Sequence, residues 1–329
     1  SLPAEAMAPG AARAVDPHLE RADALHVLGA FSYANVQVCR RARRLGVPYY
    51  VSLAGMLDDD CFVHAPAKKR AYMALVGSRW LRSSAGVHCT AGDELAESSR
   101  FFPRDLGYVI PTFVDLEPYR GLPGPGLAQK KYPFLDGAEP AVTFLGRLHP
   151  IKGLEMLIDV AGELRARGER MHLVLAGPGD EAYVRSLQAH AITRRVADRV
   201  HFTGSVGGAL KTSLLQASRV TVSTSQHENF GIALLEGMLS GAPAVTTDRV
   251  KIWRELRSSG GATITHRTPS GIAEALLPWL HSPARARAAG EAAREWALEF
   301  LDPRRLTGQY EAMYASARRA PVLSLTAAA

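Results

Sequence analysis

The sequence predicts an α/β protein with two domains, each built on a parallel sheet with helices on both faces. Short apolar runs and longer amphipathic runs alternate along the whole chain of 329 residues, as they do where helices join parallel strands. The segment 121–140 is rich in Gly and Pro, which is typical of a connection between domains. A chain of this length also accommodates two domains of ordinary size.

The apolar runs of the first half predict four strands, at 24–29, 47–53, 85–89 and 108–114. Helices are predicted between them, at 35–45, at 66–81 and from Gly92 onward. The second half predicts six strands, at 141–145, 171–176, 200–204, 219–224, 243–247 and 262–265. Its predicted helices lie at 153–167, 181–190 and 208–217, from Phe230, and at 271–279, 283–300 and 304–318. We therefore expect a domain at 1–115, a linker at 116–140, a second domain at 141–303 and a last helix within 304–329.

Composition narrows the class of protein. The chain is 47% hydrophobic and 22% charged, and no apolar stretch is long enough to cross a membrane. Its formal net charge is +7, concentrated at 40–44 and 68–70, which favours a solvated helix face or a contact with an anionic membrane. No aromatic interleaving or nucleic-acid module accompanies the charge, so we do not expect a nucleic-acid partner.

Three cysteines without metal-ligand spacing, and the lack of a visible secretory leader, predict reduced thiols in a cytoplasmic protein. The protein could then contact the inner face of the membrane peripherally. No histidine pairing typical of a metal site is present either, so we expect no metal.

The stretch 226–242 carries the strongest signal for a binding site. It follows a predicted strand, turns through a polar loop and begins a helix near Phe230. Glu228 and Glu236 are eight residues apart, which at helical spacing lets both carboxylates face one ligand. The free amides at a helix start suit an anionic or hydroxyl-rich ligand. This pattern predicts a ligand-binding strand–loop–helix.

A second candidate loop follows the first strand of the second domain. Gly146 begins it, and Arg147 and Lys152 supply a planar guanidinium and a mobile ammonium, a combination suited to a diphosphate. Ligands of open parallel sheets bind at the carboxyl ends of the strands, where this loop lies. The alternative is that both side chains are surface charges near a helix start.

Residues 177–182 fit the pattern G-x-G-x-x-A, with Asp198 further along the chain, as in a dinucleotide-binding fingerprint. The pattern follows the second strand of its domain rather than the first, and Pro178 lacks an amide hydrogen. We therefore prefer a tight turn that needs glycine for backbone freedom. In the first domain, His88 at a predicted strand end is a candidate for a cleft.

These patterns together resemble the retaining glycosyltransferases of family 4. The resemblance rests on Phe-Leu-Gly-Arg-Leu-His-Pro-Ile-Lys-Gly at 144–153, Leu-Val-Leu-Ala-Gly-Pro-Gly at 173–179 and Glu-Asn-Phe-Gly-Ile-Ala-Leu-Leu-Glu-Gly at 228–237. The last of these is the family's E-x7-E motif. The resemblance implies the GT-B fold of two facing Rossmann-like domains, and transfer of a sugar from a nucleotide diphosphate sugar to a glycan or lipid-linked acceptor with retention and without a metal or cofactor.

Roles for individual residues follow from the resemblance alone. Arg147 and Lys152 would hold the diphosphate and Glu228 the transferred sugar, and these are the catalytic candidates. Glu236 would hold the ribose hydroxyls. The other donor-binding candidates are Gly146, Ser205 and Val206 near the base, Asn229, Phe230, Gly231 and Ile232. Gly55 and His88 are candidates on the acceptor side.

The first domain departs from the family in two ways. Ala54-Gly55 stands where the family usually has His-Gly, and the opening strand with its glycine-rich loop is not recognisable. We therefore expect an N-terminal domain that lacks its first strands. This favours, as the alternative to an enzyme, a non-catalytic nucleotide-sugar-binding or scaffold protein.

Overall fold

The computed structural model describes residues 14–63 and 65–317, so His64 and both chain ends lie outside the described residues. The chain forms two compact units. Unit 1 contains the described residues up to Thr112 together with those from Pro303 onward, and unit 2 is Phe113–Asp302. The parts of the predicted segments 1–115 and 304–329 that precede residue 14 or follow residue 317 are not described.

Each unit has one sheet whose strands are all parallel. In the described part of unit 1 the order is β1-β2-β3-β4: Leu25–Leu28, Tyr49–Ser52, Gly86–Cys89 and Gly107–Val109. In unit 2 the order is β10-β9-β8-β5-β6-β7, where β5 to β10 are Ala141–Leu145, His172–Ala176, Val200–Gly204, Val220–Val222, Ala244–Thr247 and Ala262–Thr265. The predicted α/β class with two parallel sheets is confirmed.

The helices lie between the strands and after them. Before unit 2 they are α1 Asp16–Leu19, α2 Tyr33–Arg44, α3 Pro66–Tyr72, α4 Ser78–Arg82 and α5 Gly92–Ser98, with a π-helical turn, Met73–Gly77, joining α3 to α4. Unit 2 contains α6 Glu117–Arg120, α7 Gly126–Lys131, α8 Leu154–Ala166, α9 Glu181–Thr193, α10 Gly208–Ala217, α11 Ile232–Leu239, α12 Trp253–Arg257, α13 Pro269–His281 and α14 Pro283–Phe300. The last helix, α15 Pro303–Ala317, belongs to unit 1.

Both faces of the unit 2 sheet are buried. In β6, Leu173 and Leu175 enter a core formed with α8, α9 and α13, whereas Val174 and Ala176 enter a second core with α7 and α10. Side chains of a strand alternate between the two faces of its sheet, so a strand buried on both faces is apolar throughout. Burial on both faces therefore explains why residues 173–176 form the continuous apolar run Leu-Val-Leu-Ala.

Unit 1 is covered by a helix that comes from far along the chain. On one face of its sheet, Val51 of β2 packs in a core with residues of α2 and α4. On the other face, Tyr50 packs against Leu306 and Met313 of α15. The Tyr50 hydroxyl donates a hydrogen bond to the Met313 carbonyl oxygen at 2.9 Å. The last helix is therefore part of the core of unit 1.

Candidate donor-binding site

The sheet of unit 2 has a switch point between β5 and β8. From β5 the chain adds β6 and β7 on one side, then crosses over and adds β8, β9 and β10 on the other. The loops that follow β5 and β8 therefore leave the carboxyl edge in opposite directions from neighbouring strands. Crevices at such points are the usual ligand sites of doubly wound sheets.

Two glycines let the loops after β5 and β6 touch. Gly146 donates a backbone hydrogen bond to the Ala176 carbonyl oxygen at 2.9 Å, and Leu148 donates one to Pro178 at 2.7 Å. Gly177 has φ 149°, and a Cβ placed on it would lie 1.9 Å from the carbonyl oxygen of Gly146. The preferred prediction for this segment, a turn that needs glycine, is confirmed.

The dinucleotide interpretation of residues 177–182 has no structural support. Asp180 is the N-cap of α9 and accepts from the Ala182 amide at 2.9 Å. Asp198 precedes β7, at the edge of the sheet opposite to the Gly177 loop, and its carboxylate pairs with Arg165. A ribose bound near Gly177 would therefore be out of its reach.

Lys152 and Glu228 meet at the switch point. Lys152 ends the 3-10 helix Pro150–Lys152 after β5, and its ammonium forms an ion pair with the carboxylate of Glu228 from the loop after β8. The side chains are 20% and 25% exposed, so both remain open to a ligand. Gly153 next to Lys152 has φ 66°, and a Cβ there would lie 2.6 Å from the Thr224 carbonyl oxygen. The two loops can approach this closely because residue 153 has no side chain.

The backbone holds Glu228 in place from the other side as well. Its amide donates to the Arg249 carbonyl oxygen at 3.0 Å, and its carbonyl oxygen accepts from the Lys251 amide at 3.0 Å. These bonds form a short parallel bridge to Val250 in the loop after β9. The carboxylate thus projects from a fixed segment between two strand ends.

The helix after Glu228 begins at Ile232, two residues later than the predicted position near Phe230. Gly231 is its N-cap with φ 73°, and this left-handed turn delays the helix. The Phe230 side chain is buried and stacks on Phe300 with ring centroids 6.3 Å apart, so only its backbone can serve a ligand. Ile232 is exposed in the first turn, where helical amides lack intrahelical acceptors.

Glu236 has partners of its own. Its Oε1 accepts from the Lys211 ammonium at 2.5 Å and from the Tyr119 hydroxyl at 3.0 Å. Lys211 lies on α10 and Tyr119 on α6, so three helices meet at this carboxylate. Burial raises the pKa of Tyr119, and the neighbouring Glu236 raises it further, so its hydroxyl acts as the donor. The two glutamates therefore occupy separate positions with separate cations.

Four other predicted donor residues lie at the same edge of the sheet. Arg147 is exposed after β5, and its guanidinium has no ion-pair partner among the described residues. Ser205 is exposed directly after β7, and Val206 packs partly against the core between the sheet and α10. Asn229 lies half-buried between Glu228 and Phe230.

The two acceptor-side candidates lie in unit 1, where both are engaged in internal hydrogen bonds. Gly55 has φ 79°, and its amide donates to Oε1 of the buried Glu94 at 2.5 Å. His88 lies inside β3 and is 4% exposed, bonded to Ser52 Oγ at 2.6 Å and to the Ile110 carbonyl oxygen at 2.8 Å. Burial lowers the pKa of His88. A contact of either residue with an acceptor stays a prediction.

Sequence reasoning missed Lys211 and Tyr119. Lys211 offered a weak signal, because it is the one charged residue in the helix Gly208–Ala217 and has no acidic residue one turn away. Tyr119 offered none, since it lies in the segment 116–140 that we interpreted as a linker. Within the described residues, no three His, Cys, Asp or Glu side chains come together as metal ligands would. No described helix has the length and apolar character needed to span a bilayer.

Two family models match the chain. A glycosyl transferase 4-like domain matches residues 2–111, and glycosyl transferases group 1 matches residues 128–296, more than half of the 329 residues. The chain belongs to the glycosyl transferases group 1 family. The family resemblance predicted from the three motifs is confirmed, and the second family match covers all three of them.

The chain is similar to other proteins, both curated sequences and solved structures. It is 30% identical over 218 residues to D-inositol 3-phosphate glycosyltransferase 2 of Catenulispora acidiphila, covering 63% of this chain and 50% of that protein. It is 29% identical over 207 residues to the GDP-mannose-dependent alpha-(1-6)-phosphatidylinositol monomannoside mannosyltransferase of Mycobacterium tuberculosis, covering 60% and 53%. The chain thus spans about half the length of these curated relatives.

The fold is also found in a solved structure. Anabaena Alr3699/HepE in complex with UDP aligns with a TM-score of 0.78 and 19% identity, covering 94% of this chain and 82% of that one. The same protein has been solved in complex with UDP-glucose, with a TM-score of 0.74. At this identity the likeness establishes the fold alone, and it agrees with the GT-B fold that the resemblance implied.

Proposed function

We propose that this chain is a retaining glycosyltransferase that transfers a sugar from a nucleotide diphosphate sugar bound to unit 2. The observation that carries the proposal is the Lys152–Glu228 pair at the switch point between β5 and β8. The ammonium and the carboxylate are in contact, and each is partly exposed. The ammonium can bind a diphosphate, and the carboxylate can accept a hydrogen bond from a sugar hydroxyl. Family membership and the match to the E-x7-E motif support the same reading.

The proposed chemistry is charge stabilisation. As the sugar leaves, negative charge develops on the diphosphate, and Arg147 with Lys152 neutralises it in the place of a metal ion. Lys152 exchanges its partner Glu228 for phosphate oxygens when the donor binds. Glu228 is then free to accept hydrogen bonds from the hydroxyls of the transferred sugar, and amides at the start of α11 add donors. Glu236 accepts from the ribose of the donor.

Substitution of the pair tests this function. We expect Lys152→Met and Glu228→Gln each to lower the rate of sugar transfer by about 10²- to 10³-fold, the effect of removing one preorganised charge-stabilising group. The rate is measured as release of nucleoside diphosphate, and the configuration of the product by NMR. Lys130→Met and Glu181→Gln, at exposed positions of the same unit, are matched controls. A Glu228→Gln variant as fast as the parent protein would show that the site assignment is wrong.

The identity of the donor is open to a direct measurement. Relatives are named for GDP-mannose and a structural neighbour was solved with UDP-glucose, so UDP, GDP and ADP are the first probes. A ligand that binds only the native state stabilises it by RT ln(1 + [L]/Kd), about 2.7 kcal/mol at a hundredfold excess over Kd. The diphosphate that raises the melting temperature identifies the base.

A glycan or a lipid-linked glycan is the proposed acceptor. Two relatives are named for inositol phosphate or phosphatidylinositol mannoside acceptors, which are polyhydroxylated and anionic. Exposed Lys68 and Arg70 on α3 suit a peripheral contact with an anionic membrane that carries such an acceptor. We propose this contact on the cytoplasmic side.

A non-catalytic nucleotide-sugar-binding protein is the second candidate. It is favoured by Ala54, which stands where the family usually has a histidine and has φ 49°. In that case nucleoside diphosphate would bind, but neither hydrolysis nor transfer of the donor would be detected with any acceptor. Turnover that is lost in Glu228→Gln excludes this candidate.

A further inference from the structure

We propose that Lys211 and Tyr119 form a clamp on Glu236 that makes the donor site selective for ribonucleotides over 2′-deoxyribonucleotides. The clamp is defined by the contacts of Lys211 and Tyr119 with Oε1 of Glu236. This rests on the proposed function of unit 2 as the binding site of a nucleoside diphosphate. Lys211 and Tyr119 are positioning residues in this proposal, because they act through Glu236 and not on the substrate.

Both contacts of the clamp are made to the same carboxylate oxygen. The Lys211 ammonium is 2.5 Å from Glu236 Oε1, and the Tyr119 hydroxyl is 3.0 Å from it. Two donors from different helices hold this oxygen more firmly than one donor would, so the carboxylate has less freedom to rotate. Charge-assisted hydrogen bonds of this kind are stronger than neutral ones.

The tyrosine of the clamp is itself anchored. Tyr119 is only 1% exposed, and its carbonyl oxygen accepts from the Arg294 guanidinium at 2.6 Å. The same guanidinium donates to the carbonyl oxygen of Leu239, the last residue of α11. Glu236 lies on α11, so Arg294 links the backbone that carries the hydroxyl to the helix that carries the carboxylate. The clamp is therefore built into the core of the unit.

One oxygen of the carboxylate remains for a ligand. Glu236 Oε2 has no hydrogen-bond partner among the described residues, and the side chain is 17% exposed. The neighbouring 2′- and 3′-hydroxyls of a ribose point to the same side of the ring, so a carboxylate oxygen aimed at them can accept from both. A 2′-deoxyribose offers only one of these donors. A carboxylate held by the clamp therefore binds the 2′-deoxyribose more weakly. A carboxylate that rotates freely can adapt to either sugar and discriminates less between them.

The experiment compares dissociation constants for ribo- and 2′-deoxyribonucleoside diphosphates by calorimetry, using the base that binds the parent protein. We expect the parent to prefer the ribonucleotide by about tenfold to a hundredfold, the factor that one charge-assisted hydrogen bond supplies. Lys211→Met and Tyr119→Phe should each bring this ratio towards one. Lys211→Arg, which keeps the cation, should retain most of it.

Two controls separate the clamp from a general loss of stability. Lys130→Met removes an exposed lysine of the same unit and should leave the ratio unchanged. In a Glu236→Gln background, Lys211→Met should have no further effect on the ratio, because the interaction it removes acts through Glu236. Melting curves of each variant show that the protein is folded.

Each outcome decides a different claim. If Lys211→Met weakens both nucleotides by the same factor, the residue only supports the fold and the clamp is overturned. A parent protein that binds diphosphates without preferring ribose overturns the clamp and leaves the proposed function standing. A parent protein that binds none of UDP, GDP and ADP overturns the proposed function, and the clamp with it.

Discussion

At the scale of single residues, the proposed donor site depends on positions where the residue has no side chain. Gly146, Gly153 and Gly177 all have positive φ. Side chains on Gly153 and Gly177 would also collide with backbone, since their Cβ atoms would lie 2.6 Å and 1.9 Å from carbonyl oxygens. These glycines bring three loops close enough for charges from different strands to meet.

Gly177→Ala tests this close approach. We expect a loss of about 3 kcal/mol or more in the free energy of unfolding, because the methyl group adds a backbone collision to an unfavourable φ. Gly168→Ala is the matched control, because Gly168 has φ 84° and open space around it. It should cost only about 1 kcal/mol. Both values come from urea denaturation, and equal losses would contradict the role assigned to the collision.

The residues of the proposed donor site differ in how far the sequence predicts their positions. Lys152 and Glu228 were identifiable because each lies in a motif directly after a strand, and strand ends share one edge of a parallel sheet. Lys211 and Tyr119 were not, since their contacts with Glu236 span 25 and 117 residues. Such contacts depend on how helices pack, which local periodicity does not encode.

At the scale of elements, a chain of hydrogen bonds crosses unit 1 from α15 to Ile110, the residue after β4. His88 must donate to the Ile110 carbonyl oxygen, so its Nδ1 accepts from Ser52 Oγ at 2.6 Å. Ser52 Oγ then accepts from His26 Nε2 at 2.8 Å, and His26 Nδ1 accepts from the Tyr314 hydroxyl at 2.7 Å. Both histidines are neutral in this arrangement, in agreement with the pKa values that burial lowers for His26 and His88.

This chain of hydrogen bonds predicts that the stability of the protein depends on pH. Burial, with a smaller contribution from His88, lowers the pKa of His26 from 6.5 to about 4. A lowered histidine pKa stabilises the folded state above pH 6.5, and this contribution is lost as the pH falls from 6.5 to about 4. A shift of this size corresponds to roughly 3 kcal/mol, which solvent screening reduces.

Denaturation of His26→Gln at pH 7.5 and pH 5 tests the prediction. We expect the variant to lose less stability between these two values than the parent protein loses. His201→Gln is a second test of the same cause, because burial also lowers the pKa of His201 to about 4, in unit 2. This variant should likewise lose less stability than the parent between the two pH values. Reversibility of the melt should be checked at both values. An identical pH dependence in His26→Gln and the parent would show that His26 does not carry the effect.

The boundaries of elements were predictable where local signals are strong. The strand Val200–Gly204 and the helices Gly208–Ala217 and Pro283–Phe300 begin and end at the predicted residues. The strand predicted at 108–114 is shorter, since β4 ends at Val109. Ile110 makes the last ladder bond to Cys89, and Pro111 has no amide hydrogen to continue it. The proline therefore sets this boundary, although the apolar run continues beyond it.

At the scale of the whole molecule, the net charge of +7 is not spread over a uniform basic surface. In the run 68–70, Lys69 turns inward, donating to the Cys61 carbonyl oxygen at 2.5 Å and lying 5.6 Å from the centre of the Phe31 ring. Lys68 and Arg70 remain exposed. Two of the three charges are thus available to an anionic surface.

Lys68→Gln combined with Arg70→Gln tests the proposed membrane contact. Each cation near an anionic surface contributes about 1 kcal/mol, so we expect the double variant to bind phosphatidylserine vesicles about tenfold or more weakly. The same change at Lys130 and Lys131 of unit 2 removes equal charge and should have little effect. The difference should shrink in high salt. Equal binding of the two double variants would refute a contact through α3.

The return of α15 to unit 1 has a consequence for how the protein is made. During synthesis the chain emerges from its amino end, and domains generally fold in that order. Unit 1 cannot follow this order, because the carbonyl of Met313 that accepts from Tyr50 is made after the whole of unit 2. A ribosome-bound chain that ends before Pro303 therefore exposes one apolar face of the first sheet. Emergence of α15, rather than emergence of residue 112, completes the first unit.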